Sequence, residues 1–146
     1  MRKINYIVVH CSATREGCTL TSEVLEAEHR RRGFRTTGYH YYIRRDGTVL
    51  GTRSLELPGA HCRGHNKYSI GICYEGGLDA RGNPKDTRTP EQRSALPLLV
   101  YQLLQQFRNA RVCGHRDLSP DLDGDGTVEP WEWVKQCPCF EVSKEF

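Results

Sequence analysis

Two short apolar segments, rich in β-branched residues, constrain the fold of this chain more than any other feature. Residues 4–9 read Ile-Asn-Tyr-Ile-Val-Val, and residues 69–74 read Ser-Ile-Gly-Ile-Cys-Tyr. Nearly continuous apolar character over so few residues is typical of strands that are buried on both faces of a sheet. Such strands need helices to cover their faces, so the sequence predicts an α/β fold.

Two helices are predicted to flank this sheet. Residues 21–32 carry acidic side chains early and basic side chains late, and Gly33 follows them. This charge order complements the helix dipole, and glycine commonly ends a helix. A longer helix is expected from residue 89 onward, because Thr89, Pro90 and Gln92 provide an N-cap, a first-turn proline and a capping-box glutamine.

A hairpin and one further strand complete the prediction. The dipeptide Asp46-Gly47 separates two strand-like runs, residues 39–45 and 48–52, and is a strong signal for a hairpin turn. Residues 111–113 form another short strand candidate. Together these elements predict a single α/β domain with a central mixed β-sheet flanked by helices.

The composition is that of one small domain, residues 1–146. The chain has 146 residues, of which 37% are hydrophobic, and a formal net charge of +3. This length fits one core, and the charge is too mild to indicate a nucleic-acid partner. No apolar run approaches the about 18 residues that a membrane span needs, and residues 7–9 are too short for a secretory signal. We therefore expect a monomer, without membrane insertion, that is cytoplasmic in the producing cell.

Two histidines directly follow predicted strands and suggest a shared site. His10 follows residues 4–9 and His115 ends the run from residue 111, and ligands of α/β sheets gather at the carboxyl ends of strands. Either Cys137 or Cys139 could add a thiolate, and two imidazoles, one thiolate and an open fourth position form a known catalytic zinc arrangement. Alternatively, each histidine only satisfies backbone groups at the end of its strand. The odd number of cysteines, seven, favours reduced thiols or metal ligands over a disulfide framework.

Five blocks occur in one order along the chain and carry a family resemblance. They are Val8–Thr14; Gly38–Tyr41 with Arg45–Gly47; Gly59–His61 through Gly64–Asn66 to Ser69–Gly71; Gly114–Asp117; and Lys135–Pro138. Together they resemble the N-acetylmuramoyl-L-alanine amidases of the phage lysozyme type, the type 2 amidases, a family that includes the animal peptidoglycan recognition proteins. The resemblance implies zinc-dependent hydrolysis of the amide between N-acetylmuramic acid and L-alanine in bacterial peptidoglycan. It also suggests a phage or prophage endolysin that acts on the cell wall after release.

The resemblance also assigns roles to individual residues. It implies three zinc ligands: His10, His115 and Cys137. It places Tyr39 and Lys135 beside the metal as catalytic residues, where the hydroxyl or the ammonium group could stabilise the oxyanion of the attacked amide. Two simpler alternatives stay open at this point: Tyr39 could be a cross-strand packing residue, and Lys135 could be a solvated surface lysine.

The loop after residue 58 is the candidate border of a substrate groove. His61, Arg63 and Asn66 lie in this polar stretch without periodicity. Their donors suit the acetamido, carboxylate and peptide groups of a muropeptide, so we expect them to bind substrate. Polar loop residues are also often merely solvated, which is the alternative for all three.

An acidic insertion, residues 119–134, stands where the family usually has a much shorter link. Its residues fill the calcium-loop template, with carboxylates at positions 1, 3, 5 and 12 and a carbonyl at position 7: Asp121, Asp123, Asp125, Glu132 and Thr127. The sequence therefore predicts an EF-hand-like loop that binds Ca²⁺ and holds the segment around residue 137 in place. The alternative is an acidic surface turn, since no helix is predicted upstream of the loop.

Two rival functions are considered. The chain could be a peptidoglycan-binding module without catalysis, although all three ligand positions are filled. It could also be a cysteine hydrolase built on Cys11 or Cys113, which would survive zinc chelation and be inactivated by thiol alkylation. Buried packing is the simpler explanation for both of these cysteines.

Overall fold

The computed structural model describes residues 2–146 and forms one five-stranded mixed sheet. The strands of the described chain, in order, are β1 Tyr6–Cys11, β2 Thr14–Arg15, β3 Tyr41–Ile43, β4 Val49–Gly51, β5 Ser69–Tyr74, β6 Gly77–Leu78 and β7 Arg111–Gly114. The sheet order is β4-β3-β5-β1-β7. Within this sheet β3 and β4 pair antiparallel, whereas β1 pairs parallel with both β5 and β7. The predicted mixed sheet is confirmed, and β2 and β6 form a separate parallel pair.

The two predicted helices are present, and the second has the predicted cap. Helix α1 spans Ser22–Arg31, and the Thr21 side chain accepts a hydrogen bond from the Val24 backbone N–H. Helix α2 spans Pro90–Gln106 behind a complete Thr89–Gln92 capping box and continues through Pro97. Within residues 2–146, no helix is long and apolar enough to cross a membrane.

The helices cover opposite faces of the sheet, which decides where each strand side chain points. Ile7 and Val9 of β1 belong to the core that packs against α2, whereas Leu25 of α1 packs against Tyr42 and Cys73. Side chains alternate between the two faces along a strand. His10, the next residue after Val9, therefore lies on the α1 side of the sheet.

The C-terminal segment folds back onto the domain and is held by one buried arginine. The Arg88 guanidinium donates hydrogen bonds to the carboxylates of Asp86 and Glu145 and lies 3.4 Å from the centroid of the Phe140 ring. Phe140 and Val142 are part of the core on the α2 side. These contacts anchor the segment that carries Cys137.

His40 gives the fold a defined pH dependence. Its buried ring is neutral, because Nδ1 accepts a hydrogen bond from the Gly71 N–H at 3.0 Å and Nε2 donates to the Leu57 carbonyl at 2.8 Å. Burial, with the charges of Arg2 and Arg53, lowers the pKa of His40 from 6.5 to about 4. The unfolded chain therefore takes up this proton at a higher pH than the folded chain.

We expect the metal-free protein to lose stability as the pH falls from about 6.5 to about 4, the interval between the two pKa values. His40 contributes up to about 3 kcal/mol of this loss. Urea unfolding at a series of pH values measures it. The variant His40→Asn can still accept a hydrogen bond from the Gly71 N–H through its amide oxygen. In this variant the contribution of residue 40 to the dependence of the unfolding free energy on pH disappears. If the unfolding free energy depends on pH in the same way in the variant and the wild type, His40 is not the group responsible.

Candidate metal centre

The sheet brings the two histidines of the predicted site together at its carboxyl edge. Strands β1 and β7 are parallel neighbours, with Val9 opposite Gly114. His10 in β1 and His115 directly after β7 are the next residues along the chain, so their side chains meet: the two ring centroids are 4.6 Å apart. His115 begins a short 3₁₀ segment, His115–Leu118. The pairing register therefore accounts for the contact between residues that are far apart in sequence.

Cys137 reaches the same point through backbone contacts. The Arg116 N–H donates to the Cys137 carbonyl at 2.9 Å, and the Cys11 N–H donates to the Cys137 sulfur at 3.2 Å. Gly114 makes this approach possible, because a Cβ there would lie 2.7 Å from the Pro138 ring. One donor atom from each of His10, His115 and Cys137 lies within 4.8 Å of the others.

This donor set fits a zinc ion. Burial, followed by the nearby His61, His115 and Lys135, lowers the pKa of His10 well below its ordinary value, so the imidazole is neutral, as a metal ligand must be. Two imidazoles and one sulfur supply three of the four positions of a tetrahedral zinc site and leave one open. An N–H donor on the sulfur, here from Cys11, is a common support for a coordinating thiolate.

The structure separates Cys137 from its rival Cys139. The Cys139 sulfur contacts the Gly77 carbonyl at 3.4 Å and the Cys11 sulfur at 4.0 Å. A hydrogen bond with Cys11, together with burial, raises the pKa of the Cys139 thiol. Cys139 is thus engaged away from the histidines, and Cys137 belongs to the cluster.

Tyr39 and Lys135 both lie near this cluster. The Tyr39 ring is partly buried with its centroid 5.1 Å from that of His10, and burial raises the pKa of its hydroxyl well above the ordinary value. Tyr39 precedes β3, which begins at Tyr41, so the expectation that it opens a strand is wrong. Lys135 is exposed and lines a groove of about 1030 Å³ together with His115. The Tyr39 ring and the exposed Lys135 side chain are therefore both near the cluster, and each side chain carries a hydrogen-bond donor.

The predicted substrate residues are placed differently from one another. Arg63 is exposed and lines the groove. His61 also borders it but is only 8% exposed, and both ring nitrogens are engaged, with His10 and Ser69. The Asn66 side-chain oxygen accepts from the N–H groups of His61 and Cys62. The ring nitrogens of His61 and the amide oxygen of Asn66 therefore hold the site and the loop, which corrects the expectation that they are free for substrate.

Groove residues that the sequence did not single out come from several elements. Among them are Arg32, Phe34 and Val134. Arg32 directly follows α1 and stands 5.2 Å from the centroid of the Phe34 ring. No periodicity marks these positions, and they come from segments that are far apart in the sequence, so only folding brings them to one groove.

The acidic insertion forms a compact turn without flanking helices. Carboxylate oxygens of Asp121, Asp123, Asp125 and Glu132 lie within 4.8 Å of one another. Thr127 donates its N–H to Asp125 at 2.9 Å. The described segments on either side of the loop are single 3₁₀ turns, His115–Leu118 and Pro130–Glu132. The helix–loop–helix arrangement of an EF-hand is therefore absent from this part of the chain.

Comparisons with known proteins agree with one another. The family described as N-acetylmuramoyl-L-alanine amidase matches residues 1–138. The endolysin of Klebsiella phage KP32 is 35% identical over 143 residues, covering 98% of this chain and 85% of that protein. An uncharacterized protein of Haemophilus influenzae is 47% identical over 97 residues, which cover 66% of this chain and 84% of that protein.

A solved structure shows the same architecture. The N-acetylmuramoyl-L-alanine amidase LysC from Clostridium intestinale superimposes with a TM-score of 0.75 and 26% identity, over 99% of this chain and 82% of that chain. The match extends over the whole sheet and both helices, and with the family match it confirms the resemblance found in the sequence. The chain therefore belongs to the N-acetylmuramoyl-L-alanine amidase family and is an amidase of this kind.

Proposed function

We propose that this amidase uses zinc, held by His10, His115 and Cys137, to hydrolyse the amide between N-acetylmuramic acid and L-alanine in peptidoglycan. The supporting observation is the convergence of three donor atoms within 4.8 Å, one of them on His115, which lines a groove large enough for a sugar and a peptide stem. The donor set, two imidazoles and one sulfur, is that of catalytic zinc with one open position.

In this proposal the role of each residue follows from its position and charge. Zinc supplies a positive charge that polarises the amide carbonyl and lowers the pKa of water. The Tyr39 hydroxyl, protonated because its pKa is raised by burial, donates a hydrogen bond to the developing oxyanion or a proton to the leaving amine. The Lys135 ammonium stabilises the same negative charge from the exposed side of the groove. Arg63, exposed on the groove wall, binds carboxylates of the peptide stem.

Metal analysis combined with product analysis tests the proposal. We expect one zinc per chain, new N-terminal alanine in digested cell wall and no new reducing ends, since a glycosidase would give reducing ends instead. Activity should vanish with a strong chelator and return with zinc. Binding to cell wall without release of alanine would instead identify a binding module.

A cysteine hydrolase is disfavoured by the state of the candidate thiols. Hydrogen bonding to Cys137 raises the pKa of Cys11 to about 12, and burial raises the pKa of Cys113 to about 12. A thiol that stays protonated at neutral pH is a poor nucleophile. Full activity after zinc removal would nevertheless overturn the zinc proposal in favour of this rival.

We also propose an endolysin role, because a phage endolysin matches 98% of the chain. The protein then accumulates in the producing cell and degrades the wall once the membrane is opened. Cells that express it should lyse rapidly after chloroform treatment and grow normally before it. Lysis without permeabilisation would contradict this order of events. A monomer that does not bind nucleic acid is expected, and light scattering with and without added DNA checks both points.

Finally, we propose that the acidic loop binds Ca²⁺. Like-charged groups crowd there: the neighbouring carboxyl groups of Glu132 and Asp125 raise the pKa of Glu129 to about 8, and the Glu129 Oε2 atom is buried without a hydrogen-bond partner within residues 2–146. A cation would relieve this crowding. The proposed ligands are the five residues of the calcium-loop template: Asp121, Asp123, Asp125, Thr127 and Glu132.

Calcium at 100 times its dissociation constant is expected to stabilise the zinc-loaded protein by about 2.7 kcal/mol, seen as a higher melting temperature. Removing calcium selectively should lower turnover, because the loop precedes Lys135 and Cys137 in the chain. The variant Asp123→Asn should lose both responses, whereas Asp79→Asn, outside the loop, should keep them. An unchanged melting temperature and turnover after calcium removal would contradict the proposal.

A further inference from the structure

A second histidine lies directly behind His10 and has no role in the chemistry described above. The His61 Nδ1 atom is 2.8 Å from the His10 Nε2 atom, and the two rings meet edge to face with centroids 4.9 Å apart. His10 is 1% exposed and His61 is 8% exposed. Solvent therefore does not compete for this hydrogen bond.

Two glycines and the Asn66 side chain fix the position of the His61 ring. The ring lies against two glycines: a Cβ on Gly71 would come within 2.7 Å of the ring, and a Cβ on Gly59 within 2.4 Å. The Asn66 side chain holds the backbone on either side of the His61 carbonyl, accepting from the N–H groups of His61 and Cys62 at 2.9 Å each. Any other residue at position 71, in the middle of β5, would push the ring away from His10.

A buried serine forms a hydrogen bond with the other ring nitrogen of His61. The Ser69 hydroxyl oxygen lies 3.1 Å from the His61 Nε2 atom, and Ser69 is fully buried. The hydrogen bonds thus run in one line, from His10 through His61 to Ser69.

The direction of these hydrogen bonds follows from the number of protons. A neutral imidazole carries one N–H. The His10 Nε2 atom faces His61, so Nδ1 is the nitrogen left to bind a metal, and the proton must then be on Nε2. The His61 Nδ1 atom accepts a hydrogen bond from the His10 Nε2–H group. The single proton of the His61 ring is therefore on Nε2, which donates a hydrogen bond to the Ser69 hydroxyl oxygen.

We propose that His61 is a positioning residue, backed by Ser69, that holds His10 in the Nε2–H tautomer and in the ring orientation that presents Nδ1 to the metal. This inference rests on the proposed zinc site and adds to it the reason why His10 is ready to bind before the metal arrives. Hydrogen-bond partners of this kind typically change metal affinity by about 10- to 100-fold.

Two substitutions at position 61 separate the hydrogen bond from the bulk of the ring. His61→Phe keeps a ring and removes both nitrogens, and we expect its zinc dissociation constant to rise by about 10- to 100-fold. His61→Asn can place an amide oxygen near the Nδ1 position and should recover most of the affinity. Ser69→Ala removes only the outer hydrogen bond and should weaken zinc binding by a smaller factor, about fivefold. Competition with a chromophoric chelator measures all of these constants.

A matched control and a spectroscopic readout complete the test. His40 is a buried histidine on the same side of the sheet, 6.0 Å from His61 between ring centroids, and its ring hydrogen bonds go to Leu57 and Gly71 rather than to His10. His40→Asn should therefore leave zinc affinity unchanged. Long-range ¹H–¹⁵N spectra of the metal-free protein should show the Nε2–H tautomer of His10 in the wild type and a mixture of tautomers in His61→Phe.

The possible results distinguish the two proposals. If the wild type binds no zinc, the proposed function fails, and the tautomer spectra still decide the role of His61. If the wild type binds zinc but His61→Phe and Ser69→Ala bind it equally well, only the positioning role is overturned. An Nδ1–H tautomer of His10 in the metal-free wild type overturns it as well. If His61→Phe does not fold, the zinc affinity of Ser69→Ala and the His10 tautomer in the wild-type spectra decide the question.

Discussion

Replacing Cys137 with alanine is expected to remove zinc from the protein and to abolish measurable amidase activity. The sulfur is one of three donors within 4.8 Å, and the site keeps only two ligands without it. Loss of the metal removes several kcal/mol of transition-state stabilisation, which corresponds to about 1000-fold in rate or more. Zinc content by atomic emission and release of N-terminal alanine from cell wall measure the two effects.

The neighbouring cysteine provides the control for this prediction. Cys139 lies two residues further on, but its sulfur contacts the Gly77 carbonyl and is not part of the donor cluster. Cys139→Ala should therefore retain zinc and most of the activity. If Cys139→Ala loses zinc while Cys137→Ala keeps it, the ligand assignment is wrong.

The second large loss of activity is expected when either of the two hydrogen-bond donors beside the proposed zinc ligands is removed. Tyr39→Phe and Lys135→Ala should each lower kcat by about 100- to 1000-fold, because a single oxyanion donor typically contributes that much. KM and zinc content should change little, since neither side chain is a ligand. Tyr39→Phe keeps the ring that packs against the α1 side of the sheet, and Lys135 is exposed, so neither variant should unfold.

Matched substitutions away from the site test whether the loss is local. Tyr41→Phe removes a hydroxyl from a partly buried tyrosine in β3, and Lys67→Ala removes an exposed lysine. Both should retain nearly full kcat. If Tyr39→Phe is as active as Tyr41→Phe, then Tyr39 is a packing residue, which is the simpler alternative for this side chain.

Local sequence patterns were sufficient for the two helices and the five strands of the main sheet, but not for the short β2–β6 pair. The β-branched runs gave β1 and β5, the Asp46-Gly47 turn separates β3 from β4, and the Thr89–Gln92 capping box starts α2. Each of these signals acts over a few residues, through alternation of side chains, turn geometry or capping of free N–H groups. The same patterns placed histidines at the ends of β1 and β7, and the resemblance pointed to Cys137.

Other features of the site depend on contacts that no local pattern encodes. From the sequence, His61 was interpreted as a polar loop residue that binds substrate. Its neighbours in sequence give no indication of the contact with His10, which is 51 positions away. The choice between Cys137 and Cys139 was equally open from residue types alone, and only the backbone contacts to Arg116 and Cys11 decide it. The acidic loop matched a calcium template in sequence, yet single 3₁₀ turns stand where an EF-hand has helices.

The amino-acid sequence by itself therefore determined the elements, the fold class, the family and the types of side chain available for catalysis. Tertiary structure alone decided which of these side chains meet, which nitrogen of His10 contacts His61 and which residues line the groove. The physical reason is the range of the interactions. Alternation, capping and turns join residues close in sequence, whereas parallel strand pairing and the burial of His61 against Gly71 join segments that are distant in the chain and are adjacent only after folding.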